Sequence, residues 1–284
     1  MRPECKEKYM CGIAGFYNAK GNYQQQKEKW TSVLVSMHEC LAHRGNDESG
    51  IYLSDMAGLS HARLSIRDIV TGTQPIIRQK NGKEYAIVYN GELYNTGELA
   101  RDLRQSGYEF STTTDTEVIL YAYMHYGVDF VQKLNGIFAF AIWDDNKKQL
   151  LLYRDRVGIK PLFYSFVSGQ LLFASEPKAL FCFPGFTPRV SMDGMREVLA
   201  IGPARTMGNG IFDDVNEVLP GHYLIFSKNT MSDHTYWDLF RAPHTDSYEQ
   251  TVETVSFLLR DSVTRQMVSD VPVCTFLSGG IDSS

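Results

Sequence analysis

The sequence predicts an α+β fold, with antiparallel sheets carrying helices, followed from about residue 245 by the start of an α/β domain. Three observations lead there. Apolar runs joined by short polar turns recur through the first two thirds of the chain, which is the signature of hairpins. Only a few segments carry helical spacing. Near residue 245 the pattern changes to one helix and one continuous apolar run, as expected for a strand buried on both faces of a parallel sheet.

Taken in order, Trp30, Val33, Leu34, Met37 and Leu41 recur at helical spacing, so residues 26–42 are expected to form an amphipathic helix. It stops in "AHRGNDESG", where Gly45 and Asn46 suit a turn. "GIYLSD" and "GLSHARLSI" read as strands, and "EYAIVYNGELYN" as a strand running into a turn. Thr114 and Glu117 in "TDTE" predict a capping box opening a helix through "VILYAYMHYG". "GIFAFAIWDDNKKQLLLYRD" is a hairpin with a polar tip, and "KPLFYSFVSGQLLFAS" is another with Ser168–Gly169 at its turn. After the polar connector "FRAPHTDS", Ser247 and Gln250 make a second capping box, and Val252, Val255, Leu259, Val263 and Met267 form one helical stripe. The apolar run "VPVCTFL" then leads into "SGGIDSS".

The chain has 284 residues, 43% of them apolar, enough for one large domain and part of another. The formal net charge of −5 gives no basic footprint for nucleic acid. The longest apolar runs are too short to span a bilayer, and "MRPECKEK" has no apolar core of a secretory signal, so a cytoplasmic protein is expected. Five cysteines without paired spacing argue against a disulfide framework and against a zinc or other metal site. Cys5, Cys40, Cys182 and Cys274 are expected as free thiols, the last three packed as small apolar groups.

Cys11 is different because it follows Met10 directly. A thiol attacks only as thiolate, and a free cysteine has a pKa of about 8.5, so it needs a base. If Cys11 is the first residue, its own α-amine supplies one, with a pKa of roughly 7.7–8.0. Taken alone, "MCG" would read as a buried cysteine in a first strand. Other segments change that reading. Arg63 in "HARLSI" offers a fork suited to a carboxylate. The Asn90 amide and the Gly91 backbone N–H can form an oxyanion hole. Glu92 and Asp115 supply anions for an ammonium group. The set matches a substrate with an amide at one end and an α-amino acid at the other, which is glutamine. In "FLSGGIDSS", glycines and serines after a strand can cradle phosphate without a Walker lysine.

The segments "MCGIAGF", "HRGNDESG", "HARLSI", "NGELYN", "TDTEVIL", "LNGIFAFAIWD", "RDRVGIKPLFY", "FASEPKAL", "LPGHYL" and "SDVPVCTFLSGGIDSS" together resemble glutamine-hydrolysing asparagine synthetase, in order, from residue 10 to 284. The resemblance implies a four-layer αββα Ntn-hydrolase glutaminase domain over residues 11–235, a linker at 236–244, and the first helix and strand of an adenine-nucleotide α-hydrolase-like synthetase domain over 245–284. Residues 1–10 are then a leader absent from the active protein, with Met10 as the true start or with the leader cleaved as a propeptide. The catalytic residues implied are Cys11, Asn90 and Gly91. Glutamine would lie against Arg63, Leu64, Ser65, Ile66, Arg67, Asn90, Gly91, Glu92 and Asp115. Leu277 would lie near adenine, and Ser278, Gly279, Gly280, Asp282, Ser283 and Ser284 would hold pyrophosphate and Mg²⁺. The implied activity is ATP-dependent amidation of aspartate to asparagine, with ammonia supplied from glutamine and with no prosthetic group. Expected partners are glutamine, aspartate and ATP, with a second copy of the chain as a homodimer and neither nucleic acid nor membrane. Two departures from the family stand out: Asn46 replaces the usual Pro in "HRGND", and the leader, if retained, would acylate the base. A related amidotransferase acting on a cell-wall or capsule carboxylate is the rival enzyme. A non-catalytic binding remnant is the rival of another class, and it predicts loss of Cys11, Arg63, Asn90 or Asp115, all of which are present.

Overall fold

The computed structural model of the protein describes residues 10–45, 47–65, 68–202, 206–228, 230–270 and 279–280. In chain order its elements are β1 (Gly12–Tyr17), α1 (Lys27–Glu39), β2 (Glu48–Leu53), β3 (Ala57–Arg63), β4 (Ile76–Lys80), β5 (Lys83–Leu93), α2 (Thr96–Gln105) and α3 (Asp115–Tyr126). They continue with β6 (Gly136–Asp144), β7 (Gln149–Arg154), β8 (Phe163–Val167), β9 (Gln170–Ala174), α4 (Pro177–Leu180) and α5 (Met192–Ala200). The last are β10 (Val215–Glu217), β11 (His222–Ser227), β12 (Thr230–Thr235) and α6 (Tyr248–Gln266). Short 3-10 turns precede α1 and follow α3. The strands form two six-stranded antiparallel sheets, ordered β10-β8-β9-β1-β3-β2 and β12-β11-β7-β6-β5-β4.

Side-chain alternation stacks these sheets. Ile13, Leu59 and Phe173 of the first sheet meet Val88, Ala141, Leu152 and Leu224 of the second in a shared inner core. The opposite face of the first sheet, with Phe16 and Leu172, packs on Leu34 and Met37 of α1 and Leu180 of α4. The opposite face of the second sheet, with Ile87, Phe140 and Tyr153, packs on Leu103 of α2 and Ile119 and Tyr123 of α3. The order of layers is therefore helix, sheet, sheet, helix, as expected. Ser168 and Gly169 take φ of 51° and 76° at the β8–β9 turn, the left-handed pair that a tight hairpin needs.

A buried polar link ties α3 to the second sheet. Tyr123 Oη donates to Asp144 Oδ2 at 2.6 Å and accepts from Gln149 Nε2 at 3.0 Å. Asp144 is 1% exposed, so removing the donor takes the Tyr123 hydrogen bond from Oδ2 of a buried carboxylate, whose Oδ1 still accepts from Lys147 N. Tyr123→Phe should cost about 2 kcal/mol. The expected fall in Tm is about 4–8 °C, readable by thermal unfolding followed by circular dichroism. An unchanged Tm would show that the link contributes nothing.

Two sequence expectations need correction. Thr114 does cap α3, but its side chain accepts from Thr116 N, and Glu117 does not reach back to close a box. The Glu117 carboxylate instead accepts from Ser111 N and Thr112 N, and Arg78 Nη2 of β4 approaches it to 2.6 Å. The fully buried Glu117 carboxylate is taken up by this cation and these N–H donors, which together offset its desolvation. Cys40 and Cys182, expected as packed apolar groups, are only partly buried and lie with their Sγ atoms 3.0 Å apart as free thiols. Cys5 and Cys274 lie outside the described residues.

The second capping box is present at Ser247 and Gln250, opening α6. None of its residues is buried, and the predicted stripe stays exposed, from 47% at Val252 to 63% at Leu259. The strand expected at Val271–Leu277 lies outside the described residues. Among the described residues no helix is long and apolar enough to cross a membrane.

Candidate active site

Strand parity brings the site together. Cys11 shares its parity with Ile13, Arg63 with Leu59 and His61, and Asn90 with Val88, so all three side chains leave their strands towards the space between the sheets. They do so at the end where β1 begins, β3 ends and β5 outruns β4. There a small cavity of about 80 Å³ is lined by Met10, Cys11, Arg63, Leu64, Asn90, Gly91, Glu92 and Asp115, together with Gly72, Gln74, Tyr89, Thr114, Thr116 and Lys160. His61, pushed down to about 3 by burial, is neutral; its Nε2 donates to Tyr89 O at 3.1 Å and joins the two sheets behind the cavity.

Cys11 Sγ lies 3.3 Å from Leu64 N, which donates to it, and 3.5 Å from Leu64 O. Burial pushes the thiol above its ordinary pKa, and the Leu64 N–H and the Arg63 and Lys160 charges only partly oppose this. The thiol is therefore held protonated at neutral pH until a base takes its proton. No histidine lines the cavity among the described residues. The Cys11 carbonyl accepts from Arg44 Nε at 2.9 Å, which fixes the start of β1.

Asn90 is 2% exposed, and its Nδ2 is a buried donor with no partner among the described residues. An unpaired buried amide is costly, and such groups persist where they serve a ligand. The Gly91 N–H is also unspent on the neighbouring strand. Phe138, opposite Gly91, gives its N–H to Asp155 Oδ2 and takes Asp155 N on its carbonyl, both away from β5. Gly91–Phe138 is thus a non-hydrogen-bonded pair, and Gly91 N–H points to the open edge of β5. Its neighbours along that edge are taken: Tyr89 N donates to Gln74 Oε1 at 2.7 Å and Leu93 N to Asp115 Oδ2 at 3.0 Å. Glycine is required here for a second reason, since a Cβ would come within 2.4 Å of Ile137 O.

The charged walls are pinned. Arg63 donates to Glu48 Oε2 at 2.6 Å and to the carbonyls of Ile69 and Asp68. Asp115, the first residue of α3, also accepts from Tyr89 Oη at 3.1 Å. Ser65 does not line the cavity; its N–H donates to Asp47 Oδ2 at 3.0 Å. Ile66, Arg67, Leu277, Ser278, Asp282, Ser283 and Ser284 lie outside the described residues. Of the predicted phosphate loop, Gly279 and Gly280 are described, and Gly279 takes a φ of +69° that favours glycine.

Lys160 was missed from sequence. It is 9% exposed, and its backbone is fixed by Lys160 N donating to Asp155 Oδ2 at 3.0 Å and by Arg154 Nε donating to its carbonyl at 2.9 Å. Its Nζ reaches Met10 Sδ at 2.9 Å. Burial lowers its pKa, against the opposing pull of Glu92 and Cys11. The lysine embedded in "RDRVGIKPLFY", between two apolar strands, was the available signal. Gln74, Thr114 and Thr116 were also missed, and no local pattern marks them.

Chemically, the cavity holds a protonated thiol, two unspent N–H donors, two cations and two carboxylates. That set can receive a small zwitterion bearing a carbonyl. The glutamine amidotransferase domain family matches residues 10–237, and the asparagine synthase family matches residues 254–284. The chain is 45% identical over 275 residues to asparagine synthetase [glutamine-hydrolyzing] 3 of Bacillus subtilis, covering 97% of this chain and 44% of that protein. It is 34% identical to asparagine synthetase B [glutamine-hydrolyzing] of Escherichia coli, covering 97% and 44%, and 39% identical to amidase chyE of Penicillium rubens, covering 97% and 42%. The chain thus spans under half the length of these curated relatives. Among solved structures, the allosteric regulatory enzyme of purine biosynthesis superposes with a TM-score of 0.60 at 19% identity, covering 80% of this chain and 49% of that one. Glutamine phosphoribosylpyrophosphate amidotransferase from B. subtilis gives 0.57 at 20%, with the same coverage. These two likenesses show the fold alone, the αββα sandwich of the Ntn-hydrolase amidotransferases. Since the family match starts at the residue before the cavity's thiol and runs past the last strand of the second sheet, the chain belongs to the glutamine amidotransferase domain family.

Proposed function

We propose that residues 11–235 hydrolyse glutamine at Cys11 and supply ammonia to a synthetase domain that begins near residue 245. The observation that carries this is the unspent Asn90 Nδ2, buried on the same cavity as the Cys11 thiol. Cys11 becomes the first residue, and its α-amine takes the thiol proton. The thiolate attacks the side-chain carbonyl of glutamine. Asn90 Nδ2 and Gly91 N–H receive the oxyanion, and the protonated amine passes its proton to the leaving ammonia. Water then hydrolyses the thioester and releases glutamate. Arg63 faces the glutamine carboxylate, while Glu92 and Asp115 face its ammonium group, with Leu64 completing that wall.

Similarity to asparagine synthetases over 97% of the chain supports aspartate as the acceptor, adenylated by ATP and then amidated. ATP and Mg²⁺ would lie on the loop at residues 277–284. Gly279 takes a positive φ, a conformation that glycine adopts without strain and that phosphate-cradling turns use. A homodimer in the cytoplasm, acting on small molecules alone, remains the expected setting.

The test is glutamate release by protein whose intact mass shows that it starts at Cys11, with and without ATP, aspartate and Mg²⁺, alongside AMP detection. Release is expected without the three additions, and these 284 residues should form no AMP. Aspartate-dependent AMP would place the synthetase site elsewhere. Full activity from a dominant species that starts at Met1 would sink the role of the α-amine.

The pH dependence follows from the same groups. The base must be neutral, so kcat/KM should rise with pH through one ionisation, near the roughly 7.7–8.0 of an α-amine. The Lys160 charge lowers the pKa of the Cys11 thiol, and it would act in the same direction on an α-amine of that residue. Lys160→Met should move the rising limb to higher pH, so kcat/KM falls at pH 7 and recovers as the pH is raised. A loss that persists at every pH would make Lys160 itself the base.

A further inference from the structure

A second pair of sulfurs meets away from the cavity. Cys40 is the C-cap of α1 and Cys182 follows α4, 142 residues later. Their Sγ atoms are 3.0 Å apart, and both residues are partly exposed, within reach of a small reagent. Each is held by local structure: Cys40 N donates to Ser36 O at 3.2 Å, and Cys182 N to Ala179 O at 3.4 Å. A second bridge spans the same segments, with Arg44 Nη1 2.8 Å from Glu176 Oε1 just before α4. Neither thiol lines the cavity. Two small side chains that merely fill a gap would not need sulfur at both positions, nor partial exposure.

We propose that Cys40 and Cys182 form a dithiol–disulfide couple that exchanges with low-molecular-weight disulfides such as oxidised glutathione. In the first step the Cys40 thiolate attacks one glutathione sulfur, forming a mixed disulfide and expelling glutathione thiolate. In the second, the Cys182 thiolate attacks the Cys40 sulfur and expels the second glutathione. One glutathione disulfide is reduced to two glutathiones, and the protein loses two hydrogens. Burial first, and then contact with Cys40, push the Cys182 thiol up to about 12, which disfavours it as the first attacker. The disulfide would clamp the end of α1 to the end of α4, alongside the Arg44–Glu176 pair.

The experiment equilibrates the whole chain in oxidised and reduced glutathione at pH 8, blocks free thiols with iodoacetamide, and maps peptides by mass spectrometry. A Cys40–Cys182 linked peptide is expected, formed from folded protein and reversed by dithiothreitol. Closing so long a loop should raise Tm by roughly 5–10 °C relative to the reduced form. Cys182→Ser removes the resolving thiol and should trap glutathione on Cys40. Alkylation of both cysteines under oxidising conditions, a link that forms only after denaturation, or glutathione absent from Cys40 in the variant would each overturn the proposal.

Discussion

Cys11→Ala should lower glutamine hydrolysis by at least about 10⁴-fold, while the protein keeps its fold. The size follows from what is lost. The α-amine stays, but it has no thiol proton to take, and water must attack an unactivated amide. Asn90 Nδ2 and Gly91 N–H remain, so residual turnover above the uncatalysed rate is expected from the oxyanion donors and binding alone. Folding should survive because, among the described residues, the thiol bonds to the backbone groups of Leu64, and β1 stays anchored by Arg44 on the Cys11 carbonyl. In a protein extended to the length of the relatives, Cys11→Ala should leave ammonia-driven amidation largely intact. Asp282→Ala should remove both ammonia-driven and glutamine-driven amidation, since ATP activation fails. Loss of the ammonia-driven reaction in a folded Cys11→Ala protein would show that the two chemistries do not occupy separate sites.

Much of the site was legible because strand parity is local. Cys11 sits two residues before Ile13, Arg63 four after Leu59, and Asn90 two after Val88, so each polar residue extends an apolar inward face. Reading those alternations suffices to point the three side chains the same way. Sheet order decides the remainder. Asp115 reaches the cavity because β4 pairs with β5 only through Ile87, leaving residues 88–93 open to α3 and Gln74. Lys160 enters because Asp155 gathers the loop after β7 by accepting from the Phe138, Val157, Ile159 and Lys160 N–H groups. Neither pairing leaves a periodic trace. The capping box at Glu117 failed for a similar reason, since Arg78, 39 residues away, competes for its carboxylate. The helices α2 and α5 passed unread. Leu99 and Leu103 of α2 did carry the i, i+4 signal, while on α5 Val198 and Leu199 stay exposed and blur any stripe.

Asn90→Ala should lower kcat for glutamine hydrolysis by roughly 10²–10³-fold, about 2.7–4 kcal/mol, with KM little changed. The argument rests on when its amide is used. Nδ2 has no partner among the described residues, so the free protein gains nothing from it and bears the cost of a buried unpaired donor. That cost is recovered only when negative charge develops on the glutamine carbonyl oxygen. The substrate carbonyl, being neutral and planar, profits less, which is why kcat rather than KM should carry the loss. Stability should move the other way from activity: removing an unsatisfied amide at the rim of a cavity should leave Tm within a few degrees of the parent or raise it. Gly91 cannot be tested so cleanly, because any Cβ there collides with the backbone of β6. Steady-state kinetics with thermal unfolding on the same variant separates the cases. A raised KM at constant kcat would make Asn90 a ground-state binder. A large fall in Tm would make it a structural residue of β5. Either outcome would remove the oxyanion role on which the proposed function rests.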